Sequence, residues 1–197
     1  MREKQGPHDS RISQLRAKIV AKRVASQIKG QRDSYSGPLY RALNPVYARE
    51  PLSGRGAELY GGRFNAKGTP ALYTALDPAT ALREANQAGH LQPTILLSYK
   101  ADLGPIFDTR DQDGLARYGI TEAMLADPAW RMKMLEGQPV PTQGLARALI
   151  ADRFAGLLIQ SFAKGASPSD FNIVLWNGTS EGCVLTVVDD EDRLSRM

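Results

Sequence analysis

The chain has 197 residues, of which 42% are hydrophobic and 23% are charged, as in a globular domain with its own core. One cysteine, Cys183, excludes an internal disulfide, and with only two histidines no metal site is expected. No run of about 18 apolar residues is present, and the polar N-terminus does not resemble a signal peptide, so a cytoplasmic protein with no membrane partner is expected.

Basic residues are concentrated at the start of the chain. Residues 1–36 hold nine Lys or Arg against three Asp or Glu, so this segment carries +6 and the remainder −2. Helical spacing of apolar residues predicts a helix over residues 10–29. Two interpretations stay open: a helix packed on its own domain, or a docking arm for a protein or nucleic acid. The acidic remainder argues against direct nucleic-acid binding by the main domain.

The sequence predicts a basic helical extension (residues 1–36), a main domain (37–190) and a charged tail (191–197) that frays. A polar linker over residues 32–38 is predicted to enter a first strand over residues 39–43. Residues 44–62 are rich in proline and glycine and predict a long loop. Loops of that length in a compact domain are usually functional or disordered.

The remaining pattern predicts both strands and helices. Asp77 is expected to cap a helix, Pro78 to open it and Gly89 to end it. Further strands are predicted over residues 93–102, 106–108, 156–162, 171–176 and 183–188, and helices over residues 121–135, with a break at 127–128, and 144–153. Because the two kinds of element do not alternate strictly, an α+β domain with mostly antiparallel strands is predicted.

Candidate functional residues lie at or near predicted strand ends. They are Arg41, Arg63, Glu84 and Ser161, accompanied by Tyr60 and Tyr73. Arginine forks neutralise and orient phosphates, and tyrosine rings stack on a flat or cationic heterocycle. A carboxylate stabilises an oxocarbenium-like centre or holds a ribose hydroxyl.

A structural interpretation of the same residues stays open. Arg41 and Glu84 would then form an ion pair, Arg63 would lie on the surface, and Tyr73 would belong to the core. Ser161 follows an apolar strand, and a lone serine there is usually a turn residue. A Ser-His-Asp hydrolase is excluded, because the sequence has no Gly-x-Ser-x-Gly motif and no suitably placed histidine.

Taken together, these motifs resemble the RES-domain family, named for its Arg, Glu and Ser. The matching pieces are Leu39-Tyr40-Arg41-Ala42, residues 61–75 beginning Gly61-Gly62-Arg63-Phe64-Asn65, residues 81–84, residues 159–161 and residues 172–176. The resemblance covers residues 39–188. Many members have Trp in place of Phe64 and Pro in place of Gln160, and some have Tyr in place of Ala42.

The resemblance implies a toxin of a bacterial toxin–antitoxin pair whose partner is an Xre-like helix-turn-helix antitoxin. It implies an ADP-ribosyltransferase-like core that uses NAD+ as substrate, without a metal. Nicotinamide would be released, and ADP-ribose would pass to water, to phosphate or to a protein. For a protein acceptor, a host metabolic enzyme is a candidate.

Roles for individual residues follow from the same resemblance. Arg41 and Arg63 would bind the phosphates or ribose, and Asn65 belongs to the same cofactor-binding motif. The rings of Tyr60 and Tyr73 would frame nicotinamide.

Three residues would serve the chemistry: Arg41, already named for binding, together with Glu84 and Ser161. Glu84 would stabilise the transition state, and Ser161 would hydrogen-bond either Glu84 or nicotinamide. Two rival functions stay open, a ribonuclease toxin and a non-enzymatic module that binds a partner through its basic helix.

Overall fold

A computed structural model of the chain describes residues 33–87, 92–176 and 183–196. Its strands are β1 (Asp33–Leu43), β2 (Leu72–Ala75), β3 (Ile95–Asp108), β4 (Gly156–Gln160), β5 (Phe171–Leu175) and β6 (Val184–Val187). Its α-helices are α1 (Arg55–Tyr60), α2 (Pro78–Ala85), α3 (Gln112–Arg117), α4 (Glu122–Ala126), α5 (Trp130–Leu135) and α6 (Pro141–Ala151). Two short 3₁₀ helices cover Pro45–Tyr47 and Leu194–Arg196. The predicted helix over residues 10–29 lies outside the described residues.

The six strands form one sheet in the order β1-β2-β5-β4-β3-β6. Strand β1 also pairs with β3, so β1, β2, β5, β4 and β3 form a closed circuit, and β6 adds to β3. Only the β3–β4 pairing is parallel among these strands. The prediction of an α+β fold with mostly antiparallel strands is confirmed. No helix within the described ranges is long and apolar enough to cross a membrane.

The apolar strands β4 and β5 separate two cores. Leu158 and Ile173 point into a cluster enclosed by the strands, together with Leu39 of β1. Their neighbours Leu157 and Val174 point the other way, into a cluster with the helical residues. Because successive side chains of a strand alternate between faces, burial of both faces produces the continuous apolar runs seen in the sequence.

Strands β1 and β3 are longer than predicted. The linker predicted over residues 32–38 is wrong from Asp33 onward, because these residues pair with β3 as far as Ile106. Tyr35 is 1% exposed and its hydroxyl donates to the carbonyl oxygen of Pro38 at 2.6 Å. The two strands predicted over residues 93–102 and 106–108 are one strand, β3. Segments that are polar or interrupted have little local propensity to form a strand. These segments are strands because their backbone pairs with a partner that is distant in the sequence.

Helix boundaries follow local signals where the caps are strong. The Asp77 carboxylate accepts from the backbone N–H of Ala79 at 2.8 Å, as predicted, and Pro78 opens α2. The helix ends at Ala85, and Gly89 lies outside the described residues. The predicted break at residues 127–128 is confirmed, because it separates α4 from α5.

Other predicted boundaries need correction. Residues 44–62 hold a 3₁₀ helix and the short helix α1 rather than a continuous loop, and α3 was not predicted. Helix α6 starts three residues before its predicted first residue, at a proline suited to a first helical turn. Within residues 189–194 the Asp189 carboxylate accepts from the N–H groups of Arg193 and Leu194, which forms a local turn, and the fraying of residues 191–197 stays a prediction. Short helices carry weak periodicity, so sequence patterns miss them.

Two glycine-to-alanine substitutions test this packing. A Cβ at Gly156 of β4 would overlap the carbonyl oxygen of Val174 on β5, whereas a Cβ at Gly144 of α6 would meet nothing within 4 Å. Gly156→Ala should therefore lower the free energy of unfolding by about 1–3 kcal/mol. Gly144→Ala should raise it by about 0.5–1 kcal/mol, because alanine favours the helix. Urea unfolding measures the free energy of unfolding of both variants. Changes of the same sign in the two variants would contradict the pairing of β4 with β5.

Candidate active site

The turn after α1 is built around the buried side chain of Asn65. Its amide nitrogen donates to the carbonyl oxygens of Ala57 at 2.8 Å and Thr69 at 2.9 Å. Asn65 is 0% exposed, and its backbone carbonyl oxygen accepts from the Gly62 N–H at 2.9 Å. Gly61 enters the turn with φ +73°, a conformation that glycine adopts without strain. These bonds assign Asn65 to the framework of the turn.

Tyr73 of β2 fixes the same turn from the other side. Its hydroxyl donates to Asn65 Oδ1 at 2.8 Å and accepts from the backbone N–H of Phe64 at 3.0 Å. Burial raises the pKa of Tyr73 well above its ordinary value, so the hydroxyl keeps its proton. A Cβ at Gly62 would approach both Asn65 Oδ1 and the Tyr73 hydroxyl to 2.5 Å, so the second glycine is needed for this close packing.

Three side chains outside the turn satisfy its consecutive carbonyl groups. Gln143 Nε2 donates to Gly62 O at 2.8 Å, and Thr142 Oγ1 donates to Arg63 O at 2.6 Å. Trp176 Nε1 donates to Phe64 O at 2.7 Å. Sequence reasoning did not identify the two α6 residues; their only signal is a pair of polar side chains in the first turn of an otherwise apolar helix. The result is a rigid turn that presents the side chain of Arg63.

Glu84 in the last turn of α2 is held by side chains from distant parts of the chain. Its Oε1 accepts from Ser161 Oγ at 2.5 Å and from Asn172 Nδ2 at 2.6 Å. Gln87 Nε2 donates to the other oxygen, Oε2. The structure therefore brings together the predicted Glu84 and Ser161, which are 77 residues apart. Asn172 and Gln87 are additional contacts that sequence reasoning did not assign to the site.

A second set of contacts fastens α2 to the segment between β4 and β5. Arg83 Nη1 lies 2.7 Å from Asp170 Oδ2, and the Asp170 carbonyl oxygen accepts from the Ser161 N–H at 2.7 Å. Asp170 thus contacts Arg83, the residue before Glu84, and the backbone of Ser161. The Oγ of Ser161 also accepts from the Ala163 N–H at 3.3 Å. Contacts to Arg83 on α2 and to Ser161 after β4 therefore help to fix the orientation of the Glu84 carboxylate.

Arg63 contacts two aromatic rings. Its guanidinium carbon is 4.9 Å from the ring centre of Phe162 and 5.5 Å from that of Trp130, distances typical of cation–π contacts. Its Nη1 donates to the backbone oxygens of Leu125 at 2.7 Å and Asp127 at 3.2 Å. Burial lowers the pKa of Arg63, while the charge of Glu84 acts in the opposite direction. Arg63 is therefore a half-buried residue rather than a surface arginine.

Arg41 of β1 holds the segment that precedes α1. Its Nη1 donates to the carbonyl oxygens of Pro51 at 3.2 Å and Ser53 at 3.1 Å. The Tyr99 hydroxyl also donates to Pro51 O, at 2.8 Å. The ion pair between Arg41 and Glu84 that the sequence left open does not occur among the salt bridges of the described residues.

These elements surround a cleft of about 470 Å³. Predicted site residues that line it are Arg41, Arg63, Tyr73 and Glu84. Residues that sequence reasoning did not assign and that also line it are Gln87, Trp130, Arg131, Phe162 and Asn172. Their signal in the sequence is weak, because aromatic and basic residues on short helices are common on protein surfaces.

Three predicted residues do not reach the cleft surface. Ser161 is 3% exposed and contacts the cleft only through Glu84, while Asn65 lies behind Tyr73. Tyr60, at the end of α1, is 70% exposed and does not line the cleft. No group of three or more potential metal ligands occurs in the part of the chain that is described.

Comparison with known proteins identifies a family that this chain matches. Residues 38–196 match the family described as RES domain. The fold matches a chain of the crystal structure of the M. tuberculosis MbcT-MbcA toxin-antitoxin complex with a TM-score of 0.54 and 18% sequence identity. That match covers 86% of this chain and 89% of the other. No curated protein matches the sequence.

The predicted α+β class is thus shared with a solved structure over most of both chains. The family match spans every element from β2 to the last 3₁₀ helix, and it includes all the residues that line the cleft. The chain therefore belongs to the RES domain family.

Proposed function

We propose that this chain is the toxin of a bacterial toxin–antitoxin pair and that it consumes NAD+ by breaking the nicotinamide–ribose bond. Membership of the RES domain family and the fold shared with a chain of a toxin-antitoxin complex support the proposal. The observation that carries it is the Glu84 carboxylate, oriented by Ser161 and Asn172 beside a cleft that also holds arginines. The proposed partner is an Xre-like helix-turn-helix antitoxin.

The chemistry requires an anion beside a carbon that becomes positive. When the bond breaks, its electron pair goes to the nicotinamide nitrogen, and positive charge develops on ribose C1′ and the ring oxygen. A carboxylate fixed beforehand stabilises this charge without having to reorganise. The donors Ser161 and Asn172 hold Glu84 Oε1 in place. An oxygen of water, phosphate or a protein side chain then bonds to C1′ and loses its proton where it carries one.

The arginines suit the phosphate-bearing half of NAD+. Arg41 and Arg63 each use Nη1 to bond backbone carbonyl oxygens within the described residues. Their remaining N–H groups are assigned to the pyrophosphate or ribose, which a planar guanidinium binds with two donors. The hydroxyl of Tyr73 is already bonded on both sides, so its ring is the part assigned to nicotinamide. Tyr60 has no role in this scheme, because it does not line the cleft.

Glu84→Gln tests the proposed role of the carboxylate. Glutamine keeps the shape and the acceptor oxygen but loses the negative charge, so nicotinamide release from NAD+ should fall by about 10²–10³-fold. The exposed Glu50, which does not line the cleft, provides the control Glu50→Gln. Both variants should melt within a few degrees of wild type.

Nicotinamide release is measured by chromatography, and a parallel incubation with RNA follows RNA length. Turnover of Glu84→Gln within a few-fold of wild type would remove Glu84 from the mechanism. Shortened RNA with intact NAD+ would favour the ribonuclease alternative instead.

Arg63→Lys tests whether the planar fork matters at this position. Arg63 uses only Nη1 for the two carbonyl oxygens and keeps further N–H donors on a planar group that contacts the rings of Trp130 and Phe162. Lysine keeps the positive charge, but its single ammonium nitrogen does not offer this planar set of donors. NAD+ affinity, measured by calorimetry in the Glu84→Gln background to prevent turnover, should fall by about tenfold or more. Arg147→Lys on α6 is the control, since Arg147 is exposed and does not line the cleft. Equal affinities for both variants would assign Arg63 a purely structural role.

A further inference from the structure

Arg131, the second residue of α5, is an arginine of the cleft that sequence reasoning did not identify. It is exposed and lines the cleft with Trp130 and Arg63. Among residues 33–87, 92–176 and 183–196, no carboxylate lies within salt-bridge distance of it. Its charge therefore faces the cleft without an acidic partner in the described structure.

The other two arginines of the cleft are engaged differently. Arg41 bonds the backbone of residues 51–53, and Arg63 bonds the backbone at the end of α4. Each of them thus holds a segment of chain that forms the cleft wall. In contrast, Arg131 makes no hydrogen bond that involves other described residues, so all five of its N–H donors are available to a ligand.

The Trp130 ring brings two positive charges together. The guanidinium carbon of Arg63 lies 5.5 Å from its centre, and that of Arg131 lies 5.2 Å from it. Burial is the main cause of the lowered pKa of Arg63, and the positive charge of Arg131 acts in the same direction, against the charges of Glu84 and Asp127. Such repulsion is relieved when an anion binds between or beside the two groups.

The charge balance of the cleft points in the same direction. Its lining contains three arginines and one carboxylate, Glu84, among the residues described. That carboxylate is already bonded by Ser161, Asn172 and Gln87 and forms no salt bridge with an arginine of the cleft. A ligand that complements this surface carries more than one negative charge, as a pyrophosphate does.

We propose that Arg131 binds the pyrophosphate of the substrate and is the principal phosphate contact of the cleft. The identity of the substrate as a dinucleotide rests on the proposed function, whereas the anion site rests on the geometry around Trp130. Arg41 and Arg63 each use one nitrogen to hold the cleft wall and add their remaining N–H groups to the site that Arg131 dominates. The fork of Arg131 bonds two phosphate oxygens, which lysine does not reproduce.

The test is calorimetric titration of the full chain with ADP-ribose, which carries the pyrophosphate but no nicotinamide to be cleaved. Arg131→Gln should weaken binding about tenfold, the effect of losing one charge-assisted contact. Arg131→Lys should recover only part of that loss. Arg147→Gln, an exposed arginine outside the cleft, should bind like wild type. The difference between Arg131→Gln and wild type should narrow as salt is raised, because salt screens exposed charges.

The outcomes separate the two proposals. ADP-ribose binding to Arg131→Gln within twofold of wild type overturns the role of Arg131, as does an equal loss in Arg147→Gln. If wild type does not bind ADP-ribose, the NAD+ assignment fails, and inorganic pyrophosphate is titrated instead. Pyrophosphate binding that depends on Arg131 then supports the anion site alone, whereas binding that does not depend on it overturns the anion site too.

Discussion

The cleft depends on one pair of hydrogen bonds, donated by Ser161 and Asn172 to Glu84 Oε1. They join the end of α2 to residues that follow β4 and lie within β5. A partly buried carboxylate is costly unless donors replace its water, so the two bonds offset much of that desolvation. They also fix the direction of the carboxylate, which any role in stabilising a developing cation requires. The contact of Arg83 with Asp170 holds the same three segments together one residue away.

The Gly61–Asn65 turn follows the same principle on the opposite wall. Its backbone groups bond to the side chains of Tyr73, Thr142, Gln143 and Trp176. Buried backbone groups without partners would destabilise the fold, so these bonds are what allows an irregular turn to lie against the core. The rigid turn positions Arg63, whose guanidinium also makes cation–π contacts with the rings of Trp130 and Phe162.

Local and global charge differ in this protein. The chain outside residues 1–36 carries a net charge of −2, yet the lining of the cleft holds three arginines against one glutamate. An acidic body with a basic cleft disfavours extended nucleic-acid contact and favours a small anionic ligand, because fields are focused within concave sites. The guanidinium groups of Arg63 and Arg131 both lie against the Trp130 ring, and the negative charges of Glu84 and Asp127 act on Arg63.

The sequence by itself determined features set by neighbouring residues. The cap of α2 at Asp77, the break before α5 and the apolar strands β4 and β5 all follow from local chemistry or periodicity. It also identified Arg41, Arg63 and Glu84, which line one cleft. Tertiary structure alone decided the extension of β1, the absence of Tyr60 from the cleft and the presence of Arg131 within it. Strand register and helix packing bring together residues as far as 112 positions apart, and no local pattern encodes which distant partners will meet.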